Sequence, residues 1–459
     1  MAPAARVAYI TTHYPALSHT FIQREVAALR RSGVEVHTIS MRRTAGEHLL
    51  SPEHREASRT TYAIRPARWR DVLGTHLGAL CRHPRAYLDT LRTAVAGAPP
   101  RTLGRLWQVF YFGEAILVWH HCAERSVAHV HAHHGSAPAD VALLAARFGA
   151  ASSRGPRTWS LTLHGPVELS DVSWFGLAEK VRCADAVVCI SDFARSQLMA
   201  LVDAEDWPKL TVVHCGLSVG DYSRNAESHP GRPRVVCVGR LVHEKGHAVL
   251  LHATAALTRA GHQLEVVLVG SGPLRGRLEG LARRLGIGDR VIFAGALAPD
   301  DVRRAYAQAT LFCSPSFAEG LPVVLMEAMA SERAVIATAI AGVRELVQDE
   351  QTGLLVTPGR VDELSSAIAR LLQDAELRAR LAGAGRRRVA SEFDVERSAS
   401  VLRDLFVGVS SGDDRSVAQH FADIAQRAPR TIARAARVMD RPGAESMPER
   451  ARETVASRR

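Results

Sequence analysis

The chain has 459 residues, 47% of them hydrophobic and 5% aromatic, with a formal net charge of +11. That length accommodates two domains with full cores and a tail, and the composition describes an ordinary soluble protein. No stretch reaches the roughly 18 apolar residues of a membrane-crossing helix, which excludes an integral membrane protein of that type.

The opening MAPAARVAYITTHYP goes straight into a strand without a basic-then-apolar leader, so the expectation is a cytoplasmic protein. The seven cysteines form no C-x-x-C pair and fall mostly inside expected strands, as small buried hydrophobes in a reducing compartment. The positive charge needs a partner. Nucleic acid is excluded by the lack of any nucleic-acid module or aromatic-interleaved basic stripe. Nucleotide diphosphate donors and an anionic membrane surface fit better, the latter allowing a peripheral position on the inner face of the cell membrane.

Short β-branched runs predict strands at about 6–11, 34–40, 127–133, 158–163, 186–191 and 210–214. A second set is predicted at about 234–239, 264–269, 290–294, 309–314, 333–338 and 353–357, with helical patterns between. Such alternation argues α/β architecture with parallel sheets and right-handed crossovers. The polar stretch Gly220 to Pro233 separates two Rossmann-like domains, 1–220 and 221–392. Ligands of such sheets bind beyond the strands' carboxyl ends, so the cleft between facing domains is the expected site.

In the first domain, TTHYPALSHTFIQRE ends a strand and opens a helix, where Ser18 or Thr20 could serve as caps. The segment 42–125 interrupts the alternation, is rich in arginine and carries apolar groups. Its helices are expected to dock mainly on the domain core, with arginines free to meet lipid phosphates or a lipid-linked acceptor. In HVHAHHG, alternate histidines share one strand face, so a metal site is conceivable, but no nearby cysteine or carboxylate in the sequence completes it. His164 closes the next expected strand and faces the cleft, although a lone strand-end histidine is often structural.

In the second domain, VVCVGRLVHEKG places Arg240 directly after a buried strand and Lys245 five residues on. Two cations there can neutralise a diphosphate through charge-assisted hydrogen bonds; the alternative is solvated loop charge. No D-x-D triplet exists anywhere in the chain, so no metal and no other cofactor is expected to hold the diphosphate. Gly270 and Gly272 lie between strand and helix; Gly276 comes one residue too late for a dinucleotide fingerprint, so a tight turn beside a nucleotide is the reading. The backbone at Leu297 could meet a base. Finally, FCSPSFAEGLPVVLMEAMA predicts strand, loop and helix, opening at about Leu321 with Pro322 at the first helical position. Glu319 sits in the loop. Glu327 stands in an apolar run, where a charge is costly to bury without a partner. Both could instead be solvated acids near a helix start.

The pattern S-F-x-E-G-x-P-x-x-x-x-E-A-M-A, together with Y-P-x-x-S-x-T-F-I-x-x-E, resembles retaining glycosyltransferases of family 4 with the GT-B fold, nearest the exopolysaccharide and colanic-acid branch. The resemblance covers about residues 6 to 406, in order. It implies that Glu319 touches the donor sugar, Glu327 holds the ribose, and the backbone at Gly320 and Leu321 caps sugar or phosphates. It implies that His164 approaches the donor sugar, and that Ser18, Thr20, His133 and Gly135 lie on the acceptor side. Paired glycines are frequent in that family where this chain has Ser18, His19 and Thr20. A crossover helix is implied at 393–409, followed by a basic tail at 410–459. The implied reaction moves a hexose from a nucleotide-diphosphate sugar to the hydroxyl of a glycan, lipid-linked or small-molecule acceptor, with retention and without a metal. It belongs to cell-surface polysaccharide or glycoconjugate synthesis, or to tailoring of a secreted natural product. A nucleotide-sugar 2-epimerase shares the architecture, but needs acid and base carboxylates that the sequence does not identify.

Overall fold

The computed structural model describes residues 5–16, 19–44, 51–62, 69–98, 102–223 and 231–411. Ser18, and the tail from residue 412 onward, lie outside the described residues. The first sheet holds β1 (Arg6–His13), β2 (Glu35–Arg42), β3 (Thr61–Tyr62), β4 (His129–His133), β5 (Thr158–Leu163), β6 (Ala186–Cys189) and β7 (Leu210–Val212). Their order is β3-β2-β1-β4-β5-β6-β7, and every pair is parallel. The second sheet holds β8 (Arg234–Val238), β9 (Glu265–Val269), β10 (Val291–Gly295), β11 (Leu311–Ser314), β12 (Ala334–Thr338) and β13 (Leu354–Val356). Its order is β10-β9-β8-β11-β12-β13, again all parallel.

Helices cover both faces of each sheet, which is why runs such as Val235–Cys237 are apolar on both sides instead of alternating. Every strand expected from the sequence is present within two residues of its expected ends. One was not expected: β3, two residues long inside the 42–125 segment, too short to leave a pattern, and pairing only with β2 at the sheet edge.

Strand order reverses direction between β1 and β4 in the first sheet and between β8 and β11 in the second. At such a switch the crossover helices diverge to opposite faces and leave a crevice beyond the strands' carboxyl ends. The four chain segments that emerge there are Thr12 onward, His133–Gly135, Gly239–Arg240 and Pro315–Gly320. Most residues singled out in the sequence therefore gather at two crevices by topology alone.

The helix Val395–Ser411 follows a break at Phe393–Asp394 and returns to pack on the helix Thr20–Arg31 of the first domain. Its Phe406 lies against the rings of Tyr9, His129 and His131, at 6.0, 5.5 and 5.2 Å between centroids. The histidines of β4 thus share one face, as alternation requires, and at His129 and His131 that face is covered by a phenyl ring. Phe406→Ala should cost about 3–5 kcal/mol of unfolding free energy through the cavity it leaves. Urea denaturation monitored by circular dichroism measures this; a loss under about 1 kcal/mol would show that the returning helix does not seal this core.

Candidate functional site

The loop after β11 is held from within. Glu319 is buried, and its carboxylate accepts from Lys245 Nζ at 2.7 and 2.9 Å and from Ser316 Oγ at 2.6 Å. Lys245 ends the short turn His243–Lys245 after β8, so this ion pair ties together the two strands flanking the switch. Arg240 is exposed at the end of β8, with no ion pair among the described residues. One cation is thus engaged with Glu319, and the other is exposed and in no ion pair among the described residues.

The following helix is Val323–Ala330, with Pro322 in extended backbone at the N-cap, so the helix starts two residues later than expected. Its first backbone N–H groups remain turned towards the loop. Glu327 is buried and fully engaged. Arg24 Nη2 donates to Oε1 at 2.7 Å, Tyr222 Oη donates to the same oxygen at 3.1 Å, and Tyr306 Oη donates to Oε2 at 3.0 Å. Burial, and then the neighbouring Glu327, hold the Tyr306 hydroxyl well above the ordinary phenol range, keeping it a donor. Arg24 belongs to the first domain, so this carboxylate is shared across the cleft.

On the first-domain side, His164 follows β5, and its Nε2 lies 2.8 Å from His133 Nδ1. His133 is buried, and its Nε2 is 3.3 Å from Glu25 Oε1, which also accepts from Tyr9 Oη at 2.7 Å. His133 therefore stands behind His164 rather than beside open space. Burial first, then His134, His133, His19 and His131, hold His164 well below the usual histidine range, so its ring is neutral. Glu168 shapes the loop: it accepts from the amides of Gly135 at 2.7 Å and of His164 and Gly165 at 3.2 Å each. Thr20 is the first residue of its helix, where His19 occupies the N-cap without a side-chain cap, so Thr20 does not cap. Ser191 does cap, accepting from the Ala194 amide at 3.1 Å.

The domains meet at glycines. A Cβ on Gly320 would lie 2.2 Å from the His164 carbonyl oxygen, and one on Gly342 would lie 2.5 Å from the Gly320 carbonyl oxygen. His164, Gly320 and Gly342 are therefore stacked backbone to backbone. Gly270 and Gly272 make the same kind of approach within the second domain, where a Cβ would sit 2.0 and 2.5 Å from the carbonyls of Gly239 and Leu241. Leu321 is buried at the same junction, and Leu297 packs partly buried on the second-domain core. Glu345 reaches across as well, accepting from the amides of Asp192 and Phe193 at 2.8 and 2.7 Å.

The sequence suggested no carboxylate near the β4 histidines, and the fold corrects this. Glu25, His131 and His133 bring ligand atoms within 4.8 Å of one another. His131 is already satisfied, with Ser160 Oγ at 2.7 Å and Thr162 Oγ1 at 2.9 Å. This donor set is a hydrogen-bonded core, with no ring nitrogen of His131 left over for an ion. Arg24, Glu168, Tyr222, Tyr306 and Glu345 were all missed in the sequence, and Glu25, the last residue of the Y-P-x-x-S-x-T-F-I-x-x-E pattern, was given no role there. Of the five missed, only Glu168 left a local signal, three residues after Gly165 in G-P-V-E, the spacing of a capping box.

Comparison with known proteins places this geometry among relatives. Residues 221–388 match the family model described as glycosyl transferases group 1. Alpha-D-kanosaminyltransferase of Streptomyces kanamyceticus is 32% identical over 235 residues, 49% of this chain and 61% of the relative. A GDP-mannose-dependent alpha-(1-6)-phosphatidylinositol monomannoside mannosyltransferase of Mycobacterium tuberculosis is 35% identical over 184 residues, 39% of this chain and 48% of the relative. The chain thus spans about half to three-fifths of the length of these curated relatives. Among solved structures, sucrose-phosphate synthase from Thermosynechococcus elongatus superposes with a TM-score of 0.65 at 22% identity, covering 89% of this chain and 100% of the other. Anabaena HepE in complex with UDP gives 0.64 at 19% identity, covering 87% and 98%. These likenesses establish the fold, two Rossmann-like domains of the GT-B kind.

The neutral histidines make stability pH-dependent. Burial pushes His129 down to about 3 and His247 down to about 4, from an ordinary 6.5. Between these values the unfolded chain binds protons that the folded chain refuses. Stability is therefore complete above the ordinary histidine range and falls as pH drops through it, by up to about 1.4 kcal/mol per pH unit for each group. Denaturation midpoints should be flat above about pH 7 and decline steadily towards pH 5; an unchanged midpoint at pH 5 contradicts burial of these rings in the neutral form.

Proposed function

We infer that this chain, whose residues 221–388 match the glycosyl transferases group 1 model and whose fold is of the GT-B kind, transfers a hexose from a nucleotide-diphosphate sugar to an acceptor hydroxyl with retention. The observation carrying this reading is the junction where the His164 carbonyl meets the Gly320 backbone next to the Lys245–Glu319 pair, with Arg240 exposed at the end of β8 and in no ion pair among the described residues. Arg240 and Lys245 stabilise the diphosphate as it departs, doing with side-chain charge what a divalent ion does elsewhere. Glu319 orients sugar hydroxyls, and the amides at Gly320 and Leu321 and the edge of Pro322 close over sugar or phosphate. Gly270, Gly272 and Leu297 border the nucleotide. Glu327 takes the ribose hydroxyls, which enter by replacing Arg24 on Oε1. Carboxylates accept two hydroxyls well, so the exchange conserves hydrogen bonds.

Retention fits the site's chemistry. Glu25 and Glu168, the carboxylates behind His164, are both committed to protein donors, so neither serves as a covalent nucleophile. Attack on the leaving-group side, with the departing phosphate oxygen accepting the acceptor's proton, needs no such group. Thr20 and Gly135 border the acceptor entrance, and His133 acts through His164. Both a small-molecule and a lipid-borne acceptor are compatible with the names of the relatives, which include a kanosaminyltransferase and a phosphatidylinositol monomannoside mannosyltransferase.

Incubation with a panel of nucleotide sugars should release nucleoside diphosphate in an acceptor-dependent manner. An altered nucleotide sugar would instead identify an epimerase, and no turnover a binding protein. Arg240→Ala and Glu319→Gln should each lower kcat by about 10²–10³. Gly320→Ala should do likewise by separating the domains at the His164 carbonyl, with the melting temperature of the isolated mutant lowered only modestly. Wild-type turnover in all three would refute the assignment.

A further inference from the structure

The helices Trp69–Arg82, Pro84–Ala96 and Thr102–Glu124 pack on one another. They dock on the first domain through Ala79, Ala86, Ala94, Phe112 and Ile116. Their opposite faces are also apolar. Trp69, Leu73 and Leu77 recur every four residues and are exposed; Leu88 and Val95, seven apart, are exposed on the second helix. Leu103, Leu106, Trp107 and Phe110 repeat the pattern on the third. Spacings of three, four and seven place side chains on one helical face, so each helix carries a second, solvent-facing apolar stripe.

The magnitude sets this face apart. Of sixteen exposed large hydrophobics among the described residues, ten lie between Trp69 and Phe110, with Trp69 at 68%, Leu103 at 65% and Leu106 at 63% exposure. Scattered exposed hydrophobics are ordinary; a concentration of this size marks an interaction surface. The same stretch carries exposed Arg70, Arg82, Arg85, Arg92 and Arg105 against Asp71 and Asp89. Where the second and third helices meet, Arg92 and Arg105 rim a cavity of about 610 Å³ floored by Leu91, Val95 and Ala96. No described helix is long and apolar enough to cross a membrane, so the face can lie on a bilayer but not span it.

We propose that this three-helix face docks on a lipid surface bearing anionic phospholipid headgroups, with the apolar stripes entering the acyl boundary and the arginines pairing with phosphates. A groove of about 1110 Å³ links Ala96 and Trp107 beside this face to Thr12 and Ser136 at the first domain's crevice. That groove gives a membrane-held acceptor a route from the docked face to the end of β1 and the loop after β4. The docking stands independently of the transfer reading; the lipid-borne acceptor rests on it.

Co-sedimentation of the full chain with vesicles tests the docking. Phosphatidylcholine mixed with phosphatidylglycerol should retain the protein about tenfold more strongly than phosphatidylcholine alone. Binding should weaken with salt, and tryptophan emission should shift to shorter wavelength. The triple substitution Leu103→Ser, Leu106→Ser, Phe110→Ser should reduce retention about tenfold or more at an unchanged melting temperature. Should that variant misfold, Arg92→Glu with Arg105→Glu should abolish the preference for anionic vesicles. Donor turnover on a soluble acceptor should be unaffected in both variants, which separates failure of docking from failure of the transfer reading. Equal, negligible binding to both vesicles overturns the proposal. So does undiminished binding by the variants, or a wild-type dimer that the triple substitution dissolves, which would assign the face to a second copy of the chain.

Discussion

The carboxylate of Glu327 is the constraint on which the rest depends. It sits in the helix Val323–Ala330 among Leu325, Met326, Ala328 and Met329, all buried, where an unpaired charge would cost several kcal/mol. Three donors satisfy it, and one of them, Arg24, comes from the other domain. The pair is only partly shielded, with 24% of the Arg24 side chain exposed, so its electrostatic gain is reduced by solvent. Its consequence is positional. The neighbouring residue, Glu25, points the other way, to Tyr9 and His133, and His133 in turn meets His164. Two adjacent residues of one helix thus connect Glu327 of one domain to the histidine loop of the other.

The β4 histidines show a second use of the same physics. Burying His129 and His131 is affordable only because β5 presents Thr158, Ser160 and Thr162 in parallel register, so each ring nitrogen finds a hydroxyl. Period-two alternation on both strands makes the match automatic once the register is set. The rings stay neutral, and the ladder is stiff, closed by Phe406 on its outer side.

Strand positions, the parallel class and the location of Arg240, Glu319 and His164 at strand ends were all legible in the sequence, because hydrophobic runs and strand-to-loop transitions are local. Partners were not. Arg24 and Glu327 lie 303 positions apart, and no local pattern announces that one will meet the other. Lys245 and Glu319 were both visible but assigned separate tasks, since only the close packing of the β8 and β11 loops turns them into a pair. The absence of a carboxylate near the histidines was inferred from neighbours in the chain, whereas Glu25 arrives through the helix after β1. The apolar 42–125 segment was expected to bury most of its large side chains; helical periodicity alone does not distinguish one apolar stripe from two when the polar positions between them are few.

Glu345 carries a consequence for motion. Its carboxylate supplies the two leading amides of the helix Asp192–Met199, so a helix in one domain is terminated by an acid in the other. Any hinge-like separation of the domains leaves those amides to water. A helix-end interaction of this kind is worth about 1 kcal/mol, which weights a two-state equilibrium roughly fivefold. The balance between closed and separated domains is thereby weighted by a residue outside the hydrogen-bond networks of Glu319 and Glu327.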